Sequence, residues 1–163
     1  MNILAETIKE YFKRNDWTYT YYEEYSLFRF GIRMDSVIGS LDYIIAIRKD
    51  AYTVYAILRN KVEQEYISQV AEFLHRANYG MHVGNFELDY DDGEIRYKNH
   101  IEIETEWFCN TDKEISDAML SRSITIPAAM FKKYGKGLLE LMVGEGDPEK
   151  LIDSIEHTDV NDE

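Results

Sequence analysis

Ala71–Glu104, AEFLHRANYGMHVGNFELDYDDGEIRYKNHIEIE, holds a helix end and a hairpin in one stretch. Val62, Tyr66, Val70, Phe73, Leu74 and Ala77 recur at helical spacing, and Gly80 stands where a left-handed residue closes a helix. A helix is therefore expected from about Val62 to Tyr79. Beyond it Phe86, Leu88 and Tyr90 alternate with Glu87 and Asp89, and Ile95, Tyr97, Ile101 and Ile103 alternate with Arg96, Lys98, His100, Glu102 and Glu104. With Asp91-Asp92-Gly93 between them, the runs Asn85 to Tyr90 and Glu94 to Thr105 read as a hairpin with one core face and one wet face.

Upstream, Leu4, Ile8, Tyr11 and Phe12 form one helical stripe behind Asn2, a capping residue type, and the stripe ends near Asn15-Asp16. The period then changes to two. Phe28, Phe30, Ile32 and Met34 form one strand face and Leu41, Tyr43, Ile45 and Ile47 another; a third run, Tyr52 to Leu58, follows the Lys49-Asp50 turn. Trp17 to Tyr22 adds a short strand or an extended lead-in.

Downstream, Thr111-Asp112-Lys113-Glu114 has the spacing of a capping box, which starts a third helix with Thr111 as its cap. Its apolar stripe runs through Ile115, Met119, Leu120 and Ile124 to Pro127, where a kink or restart is expected, and resumes through Met130, Phe131, Tyr134, Leu138, Leu141 and Met142. Gly135-Lys136-Gly137 reads as a helix interruption and Gly144 and Gly146 as its end. Asp147-Pro148 opens a short last helix to Glu156. The expected architecture is one α+β domain over residues 1–157, followed by an acidic disordered tail, 158–163. It contains an antiparallel sheet of five to six strands with helices on one face, in the order helix-strand-strand-strand-helix-strand-strand-helix, with a further helix at the end.

Charge bounds the partners. In 163 residues, 31 Asp and Glu face 18 Lys and Arg, a net charge of −13, which disfavours nucleic acid and anionic membrane surfaces because both are held by clustered cations. No apolar run approaches the ~18 residues of a membrane span. Cys109 is the one cysteine, so neither an internal disulfide nor a zinc framework can be built from it, and a reducing, cytoplasmic setting fits.

In the opening stretch, Asn78, Gly84, Phe86, Leu88, Asp89, Gly93, Ile95, Tyr97 and Lys98 resemble the signature of the YbjN-like family. There, a helix ending in an Asn-containing turn leads to a gly-x-phe-x-leu-asp strand, a turn and an ile-x-tyr-lys/arg strand. The resemblance implies a fold similar to the small homodimeric chaperones of type III secretion. Some family members carry a sensory-transduction-regulator label, and the resemblance brings no catalytic residues with it.

The residues themselves assign no catalytic site, metal or cofactor. Asp89, Asp91, Asp92 and Glu94 crowd one turn, yet counted from Asp89 the glycine falls fifth, whereas a calcium loop of the EF-hand type needs it sixth. His75, His82, His100 and His157 form no metal-ligand motif, and no spacing marks partners that would activate Cys109. The glycine pairs near residues 135 and 145 lack phosphate-loop context. An enzyme using Asp89, Asp91, Glu102 or Glu104 with a His as base, its site assembled across the fold, stays open as the alternative.

Two features point to protein contacts. Trp17, Tyr19, Tyr21, Tyr22 and Tyr25 cluster near Arg29 and Arg33, which suits either an interface or core filling. Leu27, Ile44, Ala46, Tyr55 and Ile57 lie on the strand face opposite the main apolar sets, where helices on one side alone leave them uncovered. The expected function is a non-catalytic protein-binding domain, chaperone-like or regulatory and homodimeric, with Leu27, Arg29, Ile44, Tyr55 and Ile57 as interface candidates.

Overall fold

Asn2 opens the first helix, α1 (Ile3–Arg14), by accepting hydrogen bonds from the Leu4 and Ala5 N–H groups at 3.1 and 3.3 Å. The computed structural model describes residues 2–158. After α1 come β1 (Thr20–Tyr22), β2 (Leu27–Arg33), β3 (Ser40–Arg48) and β4 (Ala51–Leu58). A 3₁₀ turn leads into α2 (Ile67–Asn78), followed by the hairpin β5 (Asn85–Leu88) and β6 (Ile95–Glu102). The chain ends in α3 (Thr105–Asn110), α4 (Lys113–Met142) and α5 (Pro148–Thr158). From residue 159 on, the expected acidic tail lies outside the described residues.

The six strands form one antiparallel sheet in the order β1-β2-β3-β4-β6-β5. Helix α2 carries the chain beyond the place β6 will occupy, and the hairpin then returns β6 between β4 and β5. The fold is α+β, with the helices on one sheet face. Phe28 pairs with Ile45 and Phe30 with Tyr43, and on the same face Val54, Ala56 and Tyr97 continue the buried surface. Phe12 of α1, fully buried, meets the rings of Tyr19, Phe30 and Phe28 at 4.9, 5.1 and 5.6 Å. Truncating such a ring costs roughly 3–5 kcal/mol. Arg14 ties α1 to α4 through a bidentate pair with Asp117, at 2.6 and 3.0 Å.

The last third departs from the sequence reading in three places. The strand expected to continue to Thr105 stops at Glu102, and the next turn forms α3, because Phe108 reaches the core beside Tyr52, ring to ring at 6.1 Å. Thr111 therefore closes α3, its N–H donating to the Trp107 carbonyl at 2.8 Å, and the cap of α4 passes to Asp112, which accepts from the Glu114 N–H at 2.9 Å. Gly135 and Gly137 do not interrupt the helix. They lie inside α4 at close approaches, where an added Cβ would stand 2.6 Å from Ile38 and 3.2 Å from Phe73.

Pro127 likewise lies within the continuous α4. Its missing N–H leaves the Ser123 carbonyl, four residues back, without its helical donor. Asn99, buried on β6, supplies the replacement: its Nδ2 donates to Ser123 O at 3.2 Å. One residue along, the Tyr43 hydroxyl donates to the Ile124 carbonyl at 2.9 Å. The sheet thus satisfies the helix where the proline opens it.

Asn99→Ala should cost about 1–3 kcal/mol in urea unfolding, the usual range for a buried group left unpaired. It should cost distinctly less in a Pro127→Ala background, where residue 127 regains an N–H aimed at Ser123. Equal costs in both arms of the double-mutant cycle would contradict this coupling.

Candidate functional site: the open face of the sheet

The family-like signature builds the β5–β6 edge. Asn78, the last residue of α2, acts as a substitute strand: its Nδ2 donates to the Phe86 carbonyl at 2.9 Å and its Oδ1 accepts from the Phe86 N–H at 2.7 Å. Both backbone groups that β5 turns outward at Phe86 are thereby satisfied. Gly84 has a φ of +71°, and a Cβ there would stand 2.5 Å from the Lys98 carbonyl and 2.6 Å from the Tyr97 ring. Gly93 has a φ of +74°, and a Cβ there would collide with the Val62 backbone. Phe86, Ile95 and Tyr97 are core residues, and the Tyr97 hydroxyl donates to the Val83 carbonyl. Burial pushes that phenol up to about 12.

Two carboxylates of the acidic turn are engaged locally. Asp89 accepts from the Asp91 N–H at 2.8 Å, and Asp92 accepts from the Glu94 N–H at 2.9 Å and pairs with Lys61. Asp89 and Asp91 lie at one end of β6 and Glu102 and Glu104 at the other, roughly 25 Å away at the rise of a strand. The four carboxylates of the enzyme alternative thus fall into two pairs at opposite ends of β6. No group of three or more His, Cys, Asp or Glu among the described residues is placed to hold a metal ion. His100 bonds Thr53 Oγ1 at 2.8 Å, His75 is exposed on α2, and Cys109 is buried in α3.

The aromatic cluster divides. Trp17, Tyr19 and Tyr21 pack on Phe12, Phe28 or Phe30 with ring centroids 4.5–5.8 Å apart and fill the core beneath α1. Tyr22 and Tyr25 remain outside, 41% and 65% exposed. Tyr22 lies under the Arg29 guanidinium at 5.7 Å.

The register assembles the other sheet face in rows. Thr20, Arg29, Ile44, Tyr55, Lys98 and Asn85 form one; Tyr22, Leu27, Ala46, Thr53 and His100 lie on one side of it, and Gly31, Asp42, Ile57, Arg96 and Glu87 on the other. Thus Leu27, Arg29, Ile44, Tyr55 and Ile57 share one face. The four apolar residues are half-buried and Arg29 is exposed. Arg96 arches over the Tyr55 ring at 4.6 Å, and Arg96 and Lys98 both reach Glu87, at 2.7 and 3.1 Å. Asp42 takes a two-pronged contact from Arg59. A depression of about 560 Å³ opens among Arg29, Asp42, Ile44, Ile57, Glu94 and Arg96.

The perturbed acids and bases here move away from neutrality. Burial raises Glu87, but hydrogen bonds from Arg96 and Lys98 outweigh it and hold the carboxyl below its ordinary value. Asp92 is also lowered, chiefly by Lys61, and Arg59 and Lys61 are raised by their acidic partners. Proton-transfer sites are built with the opposite tendency. The Asn99–Ser123 bond and the bridging role of Glu87 had only faint signals in the sequence. The first was a polar residue in the apolar alternation between Tyr97 and Ile101, and the second was a carboxylate opposite two cations.

No protein-family model matches the chain, and no curated protein matches it in sequence. Among solved structures, the fold is similar to that of YbjN from E. coli, described as a candidate transcription regulator. The TM-score is 0.58 at 9% identity, over 81% of this chain and 91% of YbjN. The fold is YbjN-like, as the signature implied. No helix among the described residues is long and apolar enough to cross a membrane.

Gly84→Ala should destabilise the protein by about 2 kcal/mol or more, since strained φ and steric conflict act together. Calorimetry checks it, and an unchanged Tm would contradict it. Because the folded Glu87 pKa is depressed, its stabilisation should be complete above the ordinary glutamate range and fade as pH falls through the folded value. Glu87→Gln should therefore be less stable than the natural protein at neutral pH and converge with it in acid.

Proposed function

We propose that this domain is a non-catalytic binding module, chaperone-like or regulatory, that acts in the cytoplasm through protein contacts on the open sheet face. The observation that carries the reading is the uncovered face itself. Across β2, β3 and β4 it presents Leu27, Ile44, Tyr55 and Ile57, half-buried only by neighbouring side chains. A contiguous apolar centre rimmed by polar groups is the usual makeup of a contact surface. The scattered carboxylates and histidines support the absence of catalysis, and the net charge of −13 weighs against nucleic acid. A regulatory role agrees with the description given to YbjN.

Homodimerisation is the second reading, favoured by the aliphatic centre of the same face, since a symmetric dimer uses one patch twice. The helical layer is the other surface a second copy could use.

Ile57→Glu tests both readings. Its side chain points away from the core set Tyr52, Val54, Ala56 and Leu58, so the variant should keep its fold, with a loss under about 1 kcal/mol. If the sheet face makes the dimer, light scattering at ~100 μM, where a micromolar complex is populated, should show a dimer for the natural protein and a monomer for the variant. A monomeric natural protein rejects homodimerisation and leaves a different protein as partner. A dimer untouched by the substitution places self-association on another surface.

A further inference from the structure

We infer that the β2 side of the open face binds an acidic, aliphatic-containing segment of another protein, an inference that rests on the binding-module reading above. Charge complementarity within an otherwise acidic molecule points to this partner. Glu87 is occupied by Arg96 and Lys98, and Asp42 by Arg59. Arg29 and Arg33, both exposed on β2 and both on this face, form no ion pair with any described residue. Between them stands Gly31, where an added Cβ would make only ordinary contacts, with the Leu41 carbonyl at 3.7 Å and with Arg59 and Asp42 of the neighbouring ion pair at 3.8 and 3.9 Å. Two arginines free of ion pairs thus stand on either side of a side-chain gap, Arg29 resting against the Tyr22 ring, and the depression of about 560 Å³ beside it is floored by Ile44 and Ile57 and bordered by Glu94 and Arg96.

That arrangement suits a carboxylate seated at Gly31 within reach of Arg29 and Arg33, with a neighbouring aliphatic side chain on Ile44 and Ile57. Arginine presents a rigid fork that matches a carboxylate in two-pronged geometry. A second copy docked about a two-fold axis across the strands would set these arginines against their own counterparts, a like-charge juxtaposition that opposes that arrangement. Single-stranded nucleic acid fits less well. The acidic remainder of the molecule repels a long polyanion.

The test is fluorescence anisotropy with the full chain and three labelled probes: a short peptide alternating Glu with Leu, its counterpart alternating Lys with Leu, and single-stranded oligothymidylate. The acidic peptide should bind, the basic one should not, and raised salt should weaken the complex. Arg29→Glu combined with Arg33→Glu should weaken it by about tenfold or more, the effect of roughly 1.4 kcal/mol, whereas Lys136→Glu on exposed α4 should leave it unchanged. Oligothymidylate binding more tightly with the same arginine dependence would assign the face to nucleic acid and overturn the inference. Acidic-peptide binding that Ile57→Glu abolishes but the arginine reversals spare would overturn the inference while leaving the sheet-face reading intact. Binding indifferent to all of these substitutions would remove both. No binding of the acidic peptide would overturn the inference, and the behaviour of Ile57→Glu in self-association would still report on the face.

Discussion

Among the described residues, a six-stranded sheet with apolar side chains on both faces is covered by helices on one face only, and most features of this protein follow from that asymmetry. The covered face closes around Phe12, Phe28, Phe30, Tyr43 and Tyr97. On the other face, the sheet uses its own long polar side chains as a partial roof, with Arg96 over Tyr55 and Arg29 over Tyr22. Ion pairs on such a surface contribute little individually, since exposed pairs are screened and lose side-chain entropy. The roof therefore shields the centre without sealing it, and a partner can displace it at small cost.

The covered face depends on polar exchanges between layers. Pro127 would leave a buried carbonyl unpaired, and Asn99 meets it from β6. Asn78 performs the complementary service, lending a helix-end side chain to the outer edge of β5. Each is one asparagine making up for a backbone group that regular secondary structure cannot satisfy. Both lie where α2, α4 and the hairpin converge, so this corner is held by directional bonds as well as by apolar area.

Much of this architecture is legible in the sequence because its causes are local and periodic. Alternation of Phe28, Phe30 and Ile32, or of Leu41, Tyr43, Ile45 and Ile47, reports a two-faced strand directly, and the positive φ required after Asp92 makes Gly93 readable as a turn. The open face was visible in the same way, as the second phase of the alternation. What stayed hidden depends on partners distant in sequence. Nothing near Thr105 announces that Phe108 will reach Tyr52 and wind α3. Gly135 and Gly137 resemble breaks until Ile38 and Phe73 are seen against them, and Pro127 resembles a stop until Asn99 is found beneath it. The aromatic cluster near residue 20 could be divided into core and surface only once α1 was placed over it.

The claim that the uncovered sheet face is where this protein meets others can be tested by site-specific photo-crosslinking in cells. A benzoyl-phenylalanine placed at Tyr55 replaces one aromatic ring on the open face with another, and the same group at Lys136 samples the exposed side of α4. The account predicts a discrete protein adduct from position 55 and none from position 136. Adducts formed only from the helical side would contradict it.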